Sequence, residues 1–345
     1  MVLRVLLPLL PLLLPPASGH ASDMMVAAYL PEWRYEGAHW KDICATVTHL
    51  IFFSLEVTRE GELAALDRLP RGELLHEARA AADASRTKLL MCVGGNGRSD
   101  GFSSTVRSDK KRARFVSALV ALCEKSNFDG IDLNWEYPGF QFGRGYLSQA
   151  EVDKDYAGLH KLIAELHAAL AASGKVVTLA YYPDGRQEPL LAKAAPYVDA
   201  MHMMSYDQPG RHSTEEFAMG GARLLPANKL TVGLPFYGRH VQSGDWKSYE
   251  DIVQARDWGV EGPHVDEVRG YYFNGQDLIA RKTEQARKLG LRGVMIWEVG
   301  QDCRMHPVTH GTKTHPTTCP EGEKSSLLTA IRRGMATLDN DRDEL

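Results

Sequence analysis

Eight short apolar runs, rich in Val, Ile, Leu, Met and aromatics, recur along this chain, each bounded by turn residues. They are Met25–Leu30, His49–Leu55, Leu89–Val93, Gly130–Trp135, Val176–Tyr182, Val198–Met204, Leu230–Phe236 and Gly293–Trp297. Segments of helical spacing lie between them, clearest at Glu73–Ser85, Lys110–Ser126, Val152–Ala172, Thr214–Leu224 and Gln276–Leu289. A last one, Ser325–Leu338, follows Pro320 and Glu321. Strands alternating with helices build a parallel sheet, and parallel strands covered on both faces read as unbroken apolar runs. Eight such repeats predict a closed (β/α)8 barrel, an α/β fold, rather than an open doubly wound sheet. The first strand leads into Tyr29-Leu30-Pro31-Glu32-Trp33 instead of a glycine-rich phosphate loop, which weakens a dinucleotide-binding alternative. A chain of 345 residues could hold one barrel or two smaller domains. No linker or low-complexity stretch divides it, so residues 22–340 are expected to form one barrel.

The ends read differently. Arg4 followed by the apolar run Val5–Leu14 and the small residues Ala17, Ser18, Gly19 and Ala21 resembles a secretory signal peptide over residues 1–21. The run is too short to span a bilayer, and no later run is long enough, so no membrane span is expected after signal removal. Residues 341–345 close on Arg342-Asp343-Glu344-Leu345, one basic position away from an endoplasmic-reticulum retrieval signal. The expectation is an ER-lumenal protein, with a retrieval receptor as partner and an extracellular location as the alternative. An oxidising lumen permits disulfides, and Cys303 and Cys319, flanking a His/Thr/Pro-rich loop, are the candidate pair. Cys44, Cys92 and Cys123 read as buried thiols. The chain contains no Asn-x-Ser/Thr acceptor. A formal net charge of -4 offers no basic excess for nucleic acid.

Chemistry concentrates on the fourth run, Phe128-Asp129-Gly130-Ile131-Asp132-Leu133-Asn134-Trp135-Glu136-Tyr137-Pro138. Strand side chains alternate, so Ile131, Leu133 and Trp135 share the helix-facing side while Asp132, Asn134 and Glu136 point into the barrel. A stack of inward polar groups is costly unless they bond one another. A glutamate at the strand's C-terminal end, where barrel active sites lie, suits a general acid whose pKa is raised by burial. The alternative is a polar network that only pins the barrel. A two-carboxylate glycosidase would need a second acid across the cleft, and spacing alone locates none.

These residues resemble the D-x-x-D-x-D-x-E signature of glycoside hydrolase family 18, the chitinases and their relatives, with Asp129, Asp132 and Glu136 matching and Asn134 at the last Asp. Val93-Gly94-Gly95 is similar to the family's S-x-G-G strand, and Met204-Ser205-Tyr206-Asp207 to its M-x-Y-D. Gly233 to Arg239 (GLPFYGR) resembles its G-x-P-F-Y-G-R, and Gly293 to Glu298 its last strand. The resemblance runs from about Met25 to Asp302. It implies substrate-assisted, retaining hydrolysis of β-1,4-linked N-acetylglucosamine polymers with neither cofactor nor metal, by an endo-acting monomer. The sugar's acetamido oxygen would replace the missing carboxylate. Glu136 would be acid and then base, residue 134 would orient the acetamido group, Asp132 would complete the catalytic set from behind it, and Asp129 would support the turn or the substrate. Tyr206 would donate to the acetamido oxygen and Asp207 would hold the same sugar. Trp297 would form the floor and Tyr29 a wall. Tyr137, Met204, Tyr237 and Arg239 complete the implied contacts.

Three departures shape the expectation. Asn134 keeps the hydrogen-bonding shape of Asp without its charge, and losing one such stabiliser costs about 10²–10³ in rate, implying slower hydrolysis. Asn96 follows Gly95 where relatives place a stacking Trp, implying few aromatic platforms. The stretch between Gly238 and Gly293 is too short for a large α+β insertion, implying a shallow, open cleft. Two alternatives stay open: an endo-β-N-acetylglucosaminidase acting on N-glycan chitobiose cores, and a weakly active or inactive glycan-binding lectin. His306, His310 and His315 are read as belonging to a solvated loop.

Overall fold

The computed structural model describes residues 24–255 and 264–336. The expected signal peptide, the expected retrieval signal and the end of the last expected helix lie outside these residues.

Eight parallel strands form the barrel: β1 (Met25–Pro31), β2 (His49–Val57), β3 (Lys88–Gly94), β4 (Gly130–Asn134), β5 (Val176–Tyr181), β6 (Ala200–Met203), β7 (Leu230–Pro235) and β8 (Gly293–Trp297). Each pairs with its sequence neighbours, and β1 closes the ring by pairing with both β2 and β8, with Ala27 opposite Met295. The fold is therefore the expected (β/α)8 barrel. Its outer layer comprises α1 (Trp40–Cys44), α2 (Gly72–Ser85), α3 (Asp109–Ser126), α4 (Gln149–Ala171), α5 (Gln187–Leu191), α6 (Glu215–Gly221), α7 (Gln276–Lys288) and α8 (Leu327–Ala336).

Sequence chemistry sets several of these boundaries. The Ser108 hydroxyl accepts the Lys111 N–H at the start of α3, and the Thr214 hydroxyl accepts that of Phe217 at the start of α6. Crossovers after β1 and β5 are shorter than the others. Pro196 lies in the 3₁₀ turn Ala192–Tyr197 that continues α5, where it denies the chain a backbone donor and a regular helix.

Alternation sorts the apolar residues into two cores. Val26, Ala28, Leu30, Leu50, Phe52, Ile131 and Leu133 pack outward beneath the helices. Met25, Ala27, Tyr29, Ile51, Phe53, Leu90 and Met295 fill the barrel interior. Polar side chains share that interior: Asp132, Thr178, His202 and Thr231 are fully buried. Gly94 and Gly95, with φ of 104° and 107°, let β3 meet its neighbours closely. A Cβ at Gly94 would lie 2.2 Å from the Asn134 carbonyl oxygen, and one at Gly95 would lie 2.3 Å from the Phe53 ring.

Between β7 and β8 stands a small antiparallel sheet made of Tyr237–His240, Trp246–Ser248, Glu267–Val268 and Tyr271–Tyr272, with the helix Tyr249–Gln254. It occupies the place of the large insertion that the sequence has no room for. After β8, a disulfide joins Cys303 and Cys319, and Cys44, Cys92 and Cys123 are free and buried. No helix among the described residues is long and apolar enough to cross a membrane.

Candidate active site

Register along β4 builds the centre of the site. Asp132 lies deepest, fully buried, and accepts hydrogen bonds from the Tyr29 hydroxyl (2.8 Å) and the Thr178 hydroxyl (2.7 Å). Burial pushes its carboxyl above the usual range, while these donors and the Cys92 thiol pull against the shift. Asn134 sits next, 2% exposed, and its Nδ2 donates to Oε1 of Glu136 at 3.2 Å. Asn134 Oδ1 is buried and has no partner. An unpaired buried acceptor is costly, and at the foot of a cleft it is a place for a ligand donor.

Glu136 stands just past the end of β4. Its backbone N–H donates to the Ser99 hydroxyl at 3.2 Å, which fixes the turn that carries it. Burial pushes its carboxyl up to about 7 from an ordinary 4.5, and the negative charge of Asp207 adds to the shift. Hydrogen bonds from Asn134 and the Asn96 backbone oppose it. Such a shift is worth roughly 3 kcal/mol, and it keeps the proton on Glu136 to a much higher pH than an ordinary Glu, which is almost wholly ionised near neutrality. The group can therefore give and take a proton near neutrality.

Glu136 opens onto a cavity of about 520 Å³ whose lining also includes Asn96, Asn134, Tyr137, Tyr182, Met204, Tyr206, Asp207 and Trp297. Trp297, half-buried, is held edge-on by Phe53 at 4.7 Å and leans on Tyr29 at 5.5 Å between ring centres. A second cavity of about 360 Å³ shares Trp297 and Asp207 with the first and is lined also by Trp33, Tyr237, Arg239 and Trp246. The two form one cleft across the C-terminal ends of the strands.

Asp207 lies between the two cavities with φ of 64°, a left-handed conformation that Asp tolerates. Its Oδ1 accepts from the Tyr237 hydroxyl at 2.8 Å and from Arg239 Nη1 at 2.9 Å. The Tyr206 hydroxyl points to Met295 Sδ at 3.8 Å, a weak partner. Burial raises the Tyr206 and Tyr237 pKa values, so both remain neutral donors.

Four sequence expectations require correction. Asp129 lies at the opposite end of β4, where its Oδ2 accepts from the Leu89 N–H and from Arg79 Nη1, both at 2.7 Å. It ties β4 to β3 and α2 and cannot reach a ligand in the cleft. Tyr29 is 1% exposed and forms no wall. It acts beneath the cavity by holding Asp132. Asp132 likewise lines neither cavity, so it positions rather than reacts. The expected shortage of aromatic platforms does not hold. Trp33 and Trp246, 58% and 61% exposed, face the second cavity, and Phe140, Phe142, Tyr146 and Tyr182 line the first. Sequence reading missed these six residues because they come from four separate stretches, the connection after β4 supplying Phe140, Phe142 and Tyr146 and the others Trp33, Tyr182 and Trp246. The cluster Tyr137, Phe140, Phe142 and Tyr146 after the acidic ladder was the available signal.

The remaining candidates, Glu136, Asn134, Tyr137, Met204, Tyr206, Asp207, Tyr237, Arg239 and Trp297, are brought together around the cleft. Among solved structures, a chitinase from Bacteroides thetaiotaomicron superposes with a TM-score of 0.73 at 21% identity, covering 92% of this chain and 98% of its own. A Group IV chitinase of Ostrinia furnacalis, in complex with allosamidin, gives 0.73 at 20% identity over 91% and 99%. Both have the same fold. Probable chitinase 2 of Drosophila melanogaster is 24% identical over 88% of this chain and 78% of its own length. Class V chitinase CHIT5 of Lotus japonicus is 24% identical over 84% of each. The model of the glycosyl hydrolases family 18 matches residues 25–302, the span from β1 to the end of the last barrel turn, and the chain belongs to that family.

Proposed function

We propose that this protein is a retaining, substrate-assisted glycosidase that cuts β-1,4-linked N-acetylglucosamine chains from within. The observation that carries this reading is the Glu136 carboxyl, raised to about 7 and facing a cleft floored by Trp297. An N-acetylglucosamine over Trp297 would place its amide N–H on the unpaired Asn134 Oδ1 and its acetamido oxygen near the Tyr206 hydroxyl. That oxygen attacks the anomeric carbon, and the glycosidic C–O bond breaks as Glu136 protonates the leaving oxygen. The oxazolinium ring carries positive charge. Water then adds to the anomeric carbon, giving its proton to the ionised Glu136, and the ring opens with net retention. Asp207, braced by Tyr237 and Arg239, would hold the same sugar through its hydroxyls.

Asn134 can hold the amide but contributes no charge to the oxazolinium ring, so turnover is expected to be slower than with Asp there. The test is hydrolysis of chito-oligosaccharides with anomer analysis of the first products. Release of β-anomers supports the reading. Release of α-anomers, or binding without cleavage, rejects it. A high-mannose glycopeptide assayed alongside separates chitobiose-core cleavage from cleavage of the polymer.

A further inference from the structure

Three metal-ligating side chains converge outside the cleft, near the seam where β1 and β8 close the barrel. His39 immediately precedes α1, Asp42 lies within it, and His306 comes from the loop between Cys303 and Cys319. His39 Nδ1 and His306 Nδ1 both approach the same oxygen, Asp42 Oδ2, at 2.8 Å each. The two imidazole rings are 5.4 Å apart and tilted by 36°, and all three ligand atoms lie within 4.8 Å of one another. His39 and Asp42 are half-buried and His306 is exposed.

We propose that His39, Asp42 and His306 form a binding site for a divalent transition-metal ion of the zinc type. Two imidazole nitrogens and one carboxylate oxygen are a donor set suited to zinc and unlike the all-oxygen sets that calcium and magnesium take. Bonds of about 2.0–2.1 Å from a central ion require ligand atoms a little over 3 Å apart in a tetrahedron. The two nitrogen–oxygen contacts therefore need to open by about half an ångström, and the two nitrogens, which lie within 4.8 Å, need to settle at the same spacing. His39 Nδ1 would exchange the Asp42 backbone N–H that it accepts at 3.3 Å for the ion. The exposed His306 supplies the freedom to move. Exposure on the His306 side leaves the fourth position to solvent.

Sequence separation makes such an ion structurally consequential. It would fasten the segment entering α1 to the loop that follows β8, the two connections flanking the barrel closure. The disulfide anchors the base of that loop, and the ion would fix its outer part. His310 and His315 take no part, since they lie on the hairpin Val308–His310 and Lys313–His315, beyond His306 in the same loop. Hydrogen bonding of Asp42 to a protonated His306 is the competing account of the cluster.

The test uses the full chain without an added histidine tag, stripped with chelator and titrated with Co²⁺, then Zn²⁺. One equivalent of Co²⁺ should produce visible d–d absorption without thiolate charge-transfer bands, and Zn²⁺ should abolish it. Asp42→Asn and His306→Ala should each weaken binding at least tenfold, while His310→Ala should leave it unchanged. His306 is exposed, so H306A should retain the wild-type circular-dichroism spectrum. Absence of saturable binding overturns the proposal, as does equal affinity in the wild type and both ligand variants.

Discussion

Asn134 turns its amide nitrogen to Glu136 at 3.2 Å and leaves its carbonyl oxygen buried and unpaired. The donated hydrogen bond favours the ionised form of Glu136 and restrains a pKa that burial drives upward. Exchanging Asn for Asp would replace that donor with a negative charge.

The expected outcome for Asn134→Asp is therefore a higher Glu136 pKa. Catalysis needs the protonated acid, so wild-type kcat/KM should fall as pH rises through about 7. In the variant this limb should move to higher pH, by about one unit if the added interaction is worth about 1.4 kcal/mol. Turnover should rise as well, through charge stabilisation of the oxazolinium ring. A pH–rate profile of both proteins checks it, and superimposable profiles with equal turnover would contradict the role of residue 134.

Glu136→Gln keeps the shape and removes the proton. Turnover on chito-oligosaccharides should drop by about 10²–10⁴, with the alkaline limb gone, while the melting temperature stays close to wild type. Calorimetry should still register ligand binding, because the aromatic floor is intact.

The Tyr206 hydroxyl has only a sulfur at 3.8 Å as its partner, so little native stability depends on it. Tyr206→Phe should unfold within about 1 kcal/mol of the parent. Its kcat should nevertheless fall by about 10²-fold, the usual cost of one transition-state donor. A loss confined to KM would place the hydroxyl in ground-state binding instead.

Trp33 and Trp246 face the second cavity from the loop after β1 and from the small antiparallel sheet. Removing either indole forfeits burial worth about 1.5–3 kcal/mol, or about ten- to a hundredfold in affinity. Trp33→Ala and Trp246→Ala should raise KM by such a factor for long oligosaccharides and leave the shortest cleavable substrate nearly unaffected. Equal effects at every chain length would remove these residues from the cleft.

Replacing both Cys303 and Cys319 by Ser opens a loop of sequence separation 16. A loop of this length predicts a loss of about 3 kcal/mol, readable as a lower denaturant midpoint, with a slope that is equal or steeper because the unlinked denatured chain exposes more surface. Dithiothreitol should reproduce the effect in the wild type only.

Much of the architecture could be read along the chain. Apolar runs of the right length, spaced by helical segments, placed all eight barrel strands within a residue or two, because strand period and chain direction are local properties. Asp132, Asn134 and Glu136 were legible on one face for the same reason. Depth along a strand is local as well, yet Asp129 was misjudged: its type fitted a pattern while its position put it at the wrong end of the barrel. Tertiary structure alone decided the rest. The carboxyl of Glu136 is raised by what surrounds it, and no spacing encodes burial. Asp207 meets Tyr237 and Arg239, Trp33 and Trp246 come to line one cavity, and His39 approaches His306 only once the ring closes and loops distant in sequence emerge side by side. Sequence fixes what alternates along a strand. Closure of the barrel fixes which loop ends become neighbours, and the cleft is made of those neighbours.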